Sequence, residues 1–284
     1  MSHRTDPCSQ QPDALLSLRL RPQLTFRALT VGRGSKYPFK PDKTKPPEEG
    51  CPWNFYRTSG DVRASYASIQ HNLGTTVPLA TQNLSYPGCW AYPDMLQVGC
   101  SHGPGGAHDP GLTMPETRTH FYSWVIVSSP LTLSHNVNDP VMSEKVWPII
   151  SNTEALEVSE AYFGHSGTSF KETEAKVTLT DAAIDADPND DLVPVEVAEG
   201  QFFYKPMSDD GSKTAVLAMN AGTATASMTI DFKDVPGIKG EKFTVRDINA
   251  HKDLGTMTDK WTGEVESHDV AFLLLTAADD ATAY

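Results

Sequence analysis

No run of about 18 or more apolar residues occurs in the 284-residue sequence, which excludes an ordinary membrane-spanning helix. The opening stretch MSHRTDPCSQQPDALL has no basic start leading into an apolar run, and no small-residue cleavage site. No secretory leader is expected within it; either the protein is made without one or its true start lies elsewhere. Cysteine is scarce. Cys8, Cys51, Cys89 and Cys100 contain no CxxC pair, which argues against a zinc site and against a dense disulfide framework. Cys89 and Cys100 flank CWAYPDMLQVGC, where a bridge closing that loop and two free buried thiols are both open readings. Basic charge is also in deficit. With 23 Lys and Arg against 36 Asp and Glu the net charge is −13, so phosphate backbones and anionic membranes would be repelled and nucleic acid is not an expected partner. No strand runs through a GxGxxG turn into a helix, and FGHSGTS lacks the spacing of a nucleophile elbow.

What is present suggests a loop-rich globular protein with a real core: 39% hydrophobic residues, 21 Pro and 20 Gly. Three textures follow one another. Residues 1–50 are rich in Arg, Lys and Pro, with one candidate strand at QLTFRALTV and then KPDKTKPPEEG, whose prolines argue against any regular element. From 51 to about 170 short apolar runs alternate with helical stretches. VRASYASIQHNL and PETRTHFYSWVIVSS are expected helices, the second opening with Pro115 and Glu116, while GCWAYPDMLQVG and ALEVSEAYFG are expected strand ends and loops. That is the βα rhythm of a parallel sheet or barrel. Beyond about 172 only strands are expected: KVTLT, PVEVA, QFFYKPM, TAVLAMN, TASMTIDF, FTVRDI and VAFLLLTA, separated by turns such as SDDGSK and NAGTA. These make an antiparallel sandwich, and a domain boundary is expected near 170.

Two segments carry candidate chemistry. In NFYRTSGDVRASYASIQHNL, Arg57 precedes Asp61 by four residues across a turn-prone Thr-Ser-Gly, and a carboxylate just past a strand of a βα unit sits where barrels place catalytic groups. An Arg–Asp contact on the surface is the commoner meaning of such a pair taken alone. In WAYPDML, Asp94 lies among Trp90, Tyr92 and Met95. Ring faces beside a carboxylate suit a sugar, which offers C–H faces and hydroxyls. SHGPGGAHDPG holds His102, His108 and Asp109, which read as a solvated loop more readily than as a metal site. HNVND and NAHKDLG, with His135 and His251, read as turns.

These motifs taken in order resemble a known family. YRTSGDV, PGCWAYPDMLQVG, ETRTHFYSWVIVSSPLTLSHNV and WPIISNTEALEVSE resemble the second half of the catalytic barrel of the α-galactosidases of glycoside hydrolase family 27. SKTAVLAMNAGTATASMTIDF, FTVRDINAHKDLGTM and AFLLLT resemble that family's C-terminal β domain. The resemblance implies an α/β plus all-β fold: a partial (β/α)8 barrel of about strands 6–8 over residues 51–170, then an antiparallel Greek-key β-sandwich over 171–284. Residues 1–50 remain undetermined, with RPQLTFRAL as a possible remnant of the fifth strand. It further implies a retaining glycosidase releasing terminal α-D-galactosyl residues from oligosaccharides or glycoconjugates without cofactor or metal. By motif match Asp61 is the acid/base, Arg57 contacts the sugar near the nucleophile, and Asp94 and Met95 line the galactose pocket, with Trp90 beside them.

The family's nucleophile, in a KxDxC-like motif on an earlier strand, is not found in residues 1–50, so the chain is expected to be a truncated enzyme. A catalytically inactive carbohydrate-binding homologue and an α-N-acetylgalactosaminidase are the alternatives. Ala91 and Tyr92 replace the Asn-Asp common in the family, and EVSEA replaces its AVNQD. The resemblance also implies a secreted, vacuolar or lysosomal location, for which Asn83 in NLS is a candidate glycosylation site.

Overall fold

The computed structural model describes residues 41–42, 44–45, 47–100, 111–180 and 194–278, together with the backbone of the strand Ala28–Leu29. That strand, β1, is the described part of the candidate strand QLTFRALTV. Next comes α1, a single turn at Pro47–Gly50, in a segment expected to have no regular element. Its proline opens the turn, where the missing N–H costs nothing. There follow β2 (Phe55–Arg57), α2 (Tyr66–Gly74), α3 (Val77–Thr81) and β3 (Trp90–Tyr92). The three strands form one sheet in the order β1-β2-β3, and both pairings are parallel. A single parallel bridge joins Leu96 to Leu133.

Three more helices complete this part: α4 (Met114–Ile126), α5 (Pro140–Ile150) and α6 (Thr153–Glu160). Each starts on a residue that satisfies otherwise orphaned N–H groups. Thr113 and Glu116 form a reciprocal capping box on α4, while Asp139 and Asn152 accept backbone N–H groups at the starts of α5 and α6. Helix α6 corrects the expected strand end at ALEVSEAYFG. The Asn152 cap and the burial of Ala155 and Val158 on one face favour a helix over the short β-branched signal.

The remaining residues form antiparallel sheets. The largest has six strands in the order β11-β10-β13-β8-β7-β4, formed by β4 (Thr168–Glu172), β7 (Gly200–Pro206), β8 (Lys213–Asn220), β10 (Lys242–Asp247), β11 (Lys252–Thr258) and β13 (Val270–Ala277). β9 (Ala226–Asp231) pairs with β12 (Lys260–Val265), and β5 (Lys176–Leu179) with β6 (Val195–Ala198). The β9–β12 ribbon lies over the six-stranded sheet, and a second core of Phe202, Val216, Ile230, Phe243, Trp261 and Leu273 fills the space between. Strands β4, β11 and β12 carry charged residues, and β11 and β12 also a glycine, that hid them in the sequence. β11, an exposed edge, takes residues 252–255 from the segment NAHKDLG expected to be a turn, which corrects that reading over its last four residues.

The principal core runs through both textures. Val62 and Ile69 from the parallel side, Phe121, Trp124 and Val125 from α4, and Phe203, Leu217, Met219 and Phe272 from the large sheet belong to one buried cluster. Gly167 sits at the crossing with φ +90, and a Cβ there would meet the carbonyl oxygen of Ile126 at 1.8 Å, so only glycine lets β4 leave so close to the end of α4.

Cys51 and Cys89 form a disulfide with Cα atoms 6.1 Å apart, joining the segments that lead into β2 and β3. Cys100 is also disulfide-bonded, so a bridge between Cys89 and Cys100 is excluded and so are free thiols at these three positions. The Cys51–Cys89 link closes a sequence separation of 38. Replacing both cysteines by alanine is expected to lower stability by about 2–4 kcal/mol, because the unfolded chain regains its loop freedom. Urea unfolding of the two proteins measures this, and equal midpoints would show that the link does not restrain the unfolded state.

Candidate active site

Arg57 closes β2, and Asp94 follows the end of β3 by two residues. Because Arg57 pairs in register with Tyr92, both charged groups leave the same, C-terminal, end of adjacent parallel strands. Side chains alternate across a sheet, and the alternation is visible here. Phe55 and Tyr92 meet edge to face at 5.0 Å. Tyr56 and Ala91 instead pack into the cluster around Cys51, Leu79, Leu84 and Cys89. Of the two departures from the family pattern, Tyr92 therefore lies beside Arg57 and Ala91 does not.

One guanidinium nitrogen serves two carboxylates. Arg57 Nη2 donates to Asp61 Oδ1 at 2.5 Å and to Asp94 Oδ2 at 2.7 Å. The Arg57 and Asp94 side chains are 5% and 6% exposed, whereas that of Asp61 is 48% exposed, so Asp61 is the carboxylate an incoming ligand can reach. Burial raises the Asp94 carboxyl above its ordinary value, opposed by the charge of Arg57 and by the backbone N–H groups of Val62 and Met95. The exposed Arg–Asp contact favoured by the isolated pattern is thus one arm of a partly buried three-residue cluster.

Several groups outside the sequence-predicted set hold this cluster. Asp94 has φ +85, a strained setting for a residue with a Cβ, and its surroundings over-determine it. The Val62 N–H donates to Asp94 Oδ2 at 2.9 Å, and Trp124 Nε1 donates to the Asp94 carbonyl at 2.7 Å. Asn72, buried on α2, donates through Nδ2 to the carbonyls of Gly60 at 3.2 Å and Pro93 at 3.0 Å. One amide thus staples the loop carrying Asp61 to the loop carrying Asp94. One turn before Trp124 on α4, His120 Nε2 accepts the Gln97 N–H at 2.9 Å. Burial pushes the His120 imidazole down to about 3, so it stays neutral and fit for an acceptor. The only sequence signal for these supports was a set of polar and indole side chains on otherwise apolar helices.

Met95 is half-buried and packs against the principal core next to Asp94. Trp90 is not brought to the cluster. It opens β3 at the opposite end of the strands, over a cavity of ≈ 470 Å³ with Ser128, Ser129 and Leu131, and its ring meets Tyr162 at 5.8 Å. His102, His108 and Asp109 lie outside the described residues. His251 pairs with Glu154 at 2.8 Å, and His135 is buried against Gly99. Among the described residues no group of three His, Cys, Asp or Glu could hold a metal ion, and no helix is long and apolar enough to cross a membrane.

One arginine thus gathers an exposed and a buried carboxylate at the C-terminal ends of parallel strands, the end at which α/β barrels place catalytic groups. Residues 198–275 match the alpha galactosidase C-terminal beta sandwich domain. Over 223 residues the chain is 28% identical to an alpha-galactosidase of Cyamopsis tetragonoloba, covering 78% of this chain and 45% of that protein. Among solved structures it resembles alpha-galactosidase I of Mortierella vinacea, with TM-score 0.57 and 21% identity over 80% of this chain and 55% of that one. It also resembles a β-L-arabinopyranosidase of Geobacillus stearothermophilus, with TM-score 0.63 and 17% identity over 82% of this chain and 46% of that one.

The chain is similar to alpha-galactosidases and matches the C-terminal part of these relatives. It spans about half the length of the curated relatives it matches, 46% and 45% for two of them.

Proposed function

We propose that this chain takes part in the retaining hydrolysis of terminal α-D-galactosyl residues, with Asp61 as acid/base and with Arg57, Asp94 and Met95 at the sugar. The observation that carries the reading is the single Arg57 nitrogen shared by one exposed and one buried carboxylate. Exposure lets Asp61 reach a glycosidic oxygen, protonate it and later take a proton from the attacking water. Arg57 Nη2, at 2.5 Å from Asp61 Oδ1, holds that carboxylate in position at the mouth of the site. Asp94, fixed by the Val62 N–H and by Arg57, presents an acceptor to a sugar hydroxyl.

A retaining reaction also needs a nucleophilic carboxylate about 5 Å from the acid. No residue of this chain is assigned that role. In the same reading β2 and β3 are neighbouring strands of a (β/α)8 barrel, about the sixth and seventh, and the sandwich is a Greek key. The Cys51–Cys89 disulfide supports folding in an oxidising, secretory-type compartment. Because the fold alone also accommodates an arabinopyranosidase, the choice of galactose rests on the relatives that match in sequence.

Turnover of a chromogenic α-galactoside, measured beside galactose binding, tests the proposal. In a protein with turnover, Asp61→Ala is expected to lower kcat by about 100-fold or more, while galactose binding changes little. Undiminished turnover in that variant would remove Asp61 from its role. Galactose binding without turnover in the unaltered protein would favour a carbohydrate-binding homologue, and absence of both would overturn the proposal.

A further inference from the structure

We propose that Asn83 carries an N-linked glycan. Asn83-Leu84-Ser85 is the only Asn-x-Ser/Thr triplet in the 284 residues. The structure puts its acceptor on the surface. Helix α3 ends in a left-handed cap: Asn83 has φ +54, its N–H donates to the Ala80 carbonyl at 2.8 Å, and the Leu84 N–H reaches back to the Leu79 carbonyl at 2.8 Å. This is the Schellman pattern, in which the residue after the helix points outward while the next one turns in. Leu84 and Leu79 accordingly meet in a buried cluster, and Asn83 is left exposed.

Two further observations support modification at this point, and a third sets when it must occur. The neighbouring Cys51–Cys89 disulfide requires an oxidising compartment, which is where the transfer occurs. The surface is also the one away from the carboxylates. Leu84 is tied to the β2 residue on the far face, since Tyr56 Oη donates to the Leu84 carbonyl at 2.7 Å, whereas Arg57 points to the other face. A glycan on Asn83 would therefore leave Asp61 accessible. Finally, the Ser85 hydroxyl is buried and accepts the Ala91 N–H at 3.1 Å. The triplet can be recognised only before this hydrogen bond forms, which places the transfer ahead of the closing of the Cys51–Cys89 unit.

In the reaction, the Asn83 amide nitrogen attacks the anomeric carbon of a polyprenyl-diphosphate-linked oligosaccharide. The N-glycosidic bond forms, the bond from that carbon to the diphosphate oxygen breaks, the lipid diphosphate leaves, and the amide nitrogen loses one proton.

The test uses the full chain carried into eukaryotic microsomes by an added cleavable leader. The unaltered chain is expected to migrate more slowly by one glycan and to return to its unmodified mobility on peptide-N-glycosidase treatment, with aspartate appearing at position 83 in the peptide map. Asn83→Gly keeps the left-handed cap, since glycine is the preferred residue there, and is expected to abolish the shift. An unshifted chain, an unmodified peptide spanning residue 83, or a shift that persists in Asn83→Gly would each overturn the assignment.

Discussion

Replacing Arg57 by alanine is expected to destabilise the protein by about 3–5 kcal/mol, the range found when one partner of a buried ion pair is removed. The reason lies with Asp94. Its side chain is 6% exposed and already carries a raised carboxyl, and Arg57 is the main influence opposing that rise. Without the guanidinium, the Val62 N–H remains, but a buried charge has lost its counter-charge. The sign of the pH dependence follows. A carboxyl whose folded value lies above its unfolded value of 3.8 binds its proton more tightly when folded, so its effect on stability is neutral in acid and becomes a loss as pH climbs through and above that value. The Arg57→Ala deficit should therefore be large at neutral pH and shrink in acid. Urea unfolding at both pH values reads it, and a deficit below about 1 kcal/mol at neutral pH would mean that Asp94 finds water or another donor.

Lys205 provides the second large effect. It is fully buried in β7, and its ammonium donates to the Val158 and Ser159 carbonyls at the C-terminus of α6, the Ser159 contact being 3.1 Å. Burial lowers the amine from 10.5 to about 7, while the two carbonyls and the negative end of the helix favour the charged form. Between those values the unfolded chain holds a proton that the folded chain releases. Stability should accordingly rise with pH from about 7 to about 10.5, by on the order of 5 kcal/mol over the whole interval if this group acts alone. Lys205→Met should remove that slope and raise stability at neutral pH. Parallel slopes in both proteins would show that the carbonyls of α6 keep the ammonium charged throughout. Either outcome bears on how the sheet is joined to the α/β side, because Lys205 spans from one to the other.

Much of the local structure was legible in the sequence because short-range rules decide it. PETRTHFYSWVIVSS becomes α4, and QFFYKPM, TAVLAMN and VAFLLLTA become β7, β8 and β13, while VRASYASIQHNL forms its helix only from Tyr66, four residues later than expected, where Ser65 caps it. ALEVSEAYFG was misread because its β-branched and aromatic residues suggest a strand, while the cap that decides for a helix, Asn152, lies just outside it. The edge strand β11 was misread for a related reason: its side chains face water, so apolar alternation is absent.

Trp90 and Asn72 show where sequence proximity misleads. Trp90 is four residues from Asp94 yet stands at the other end of its strand, since each strand residue advances the chain by about 3.3 Å. Asn72 lies twenty-two residues from Asp94 and still binds the residue next to it. The cysteine pairing is of the same kind. Cys89 and Cys100 are the closer pair in sequence, but parallel pairing of β2 and β3 brings Cys51 to Cys89 instead.

The sequence by itself determined that α2 and α4 are helices, the strand-rich second half, the Arg57–Asp61–Asp94 candidates and the resemblance to α-galactosidases, since each is written in residues close together or in ordered motifs. Only the tertiary structure decided that one guanidinium joins an exposed carboxylate to a buried one, that Asn72 and Trp124 hold their loops, and that a single core spans both parts. Those facts depend on which strands lie side by side and how deeply each group is buried, and burial and pairing are properties of the folded chain as a whole.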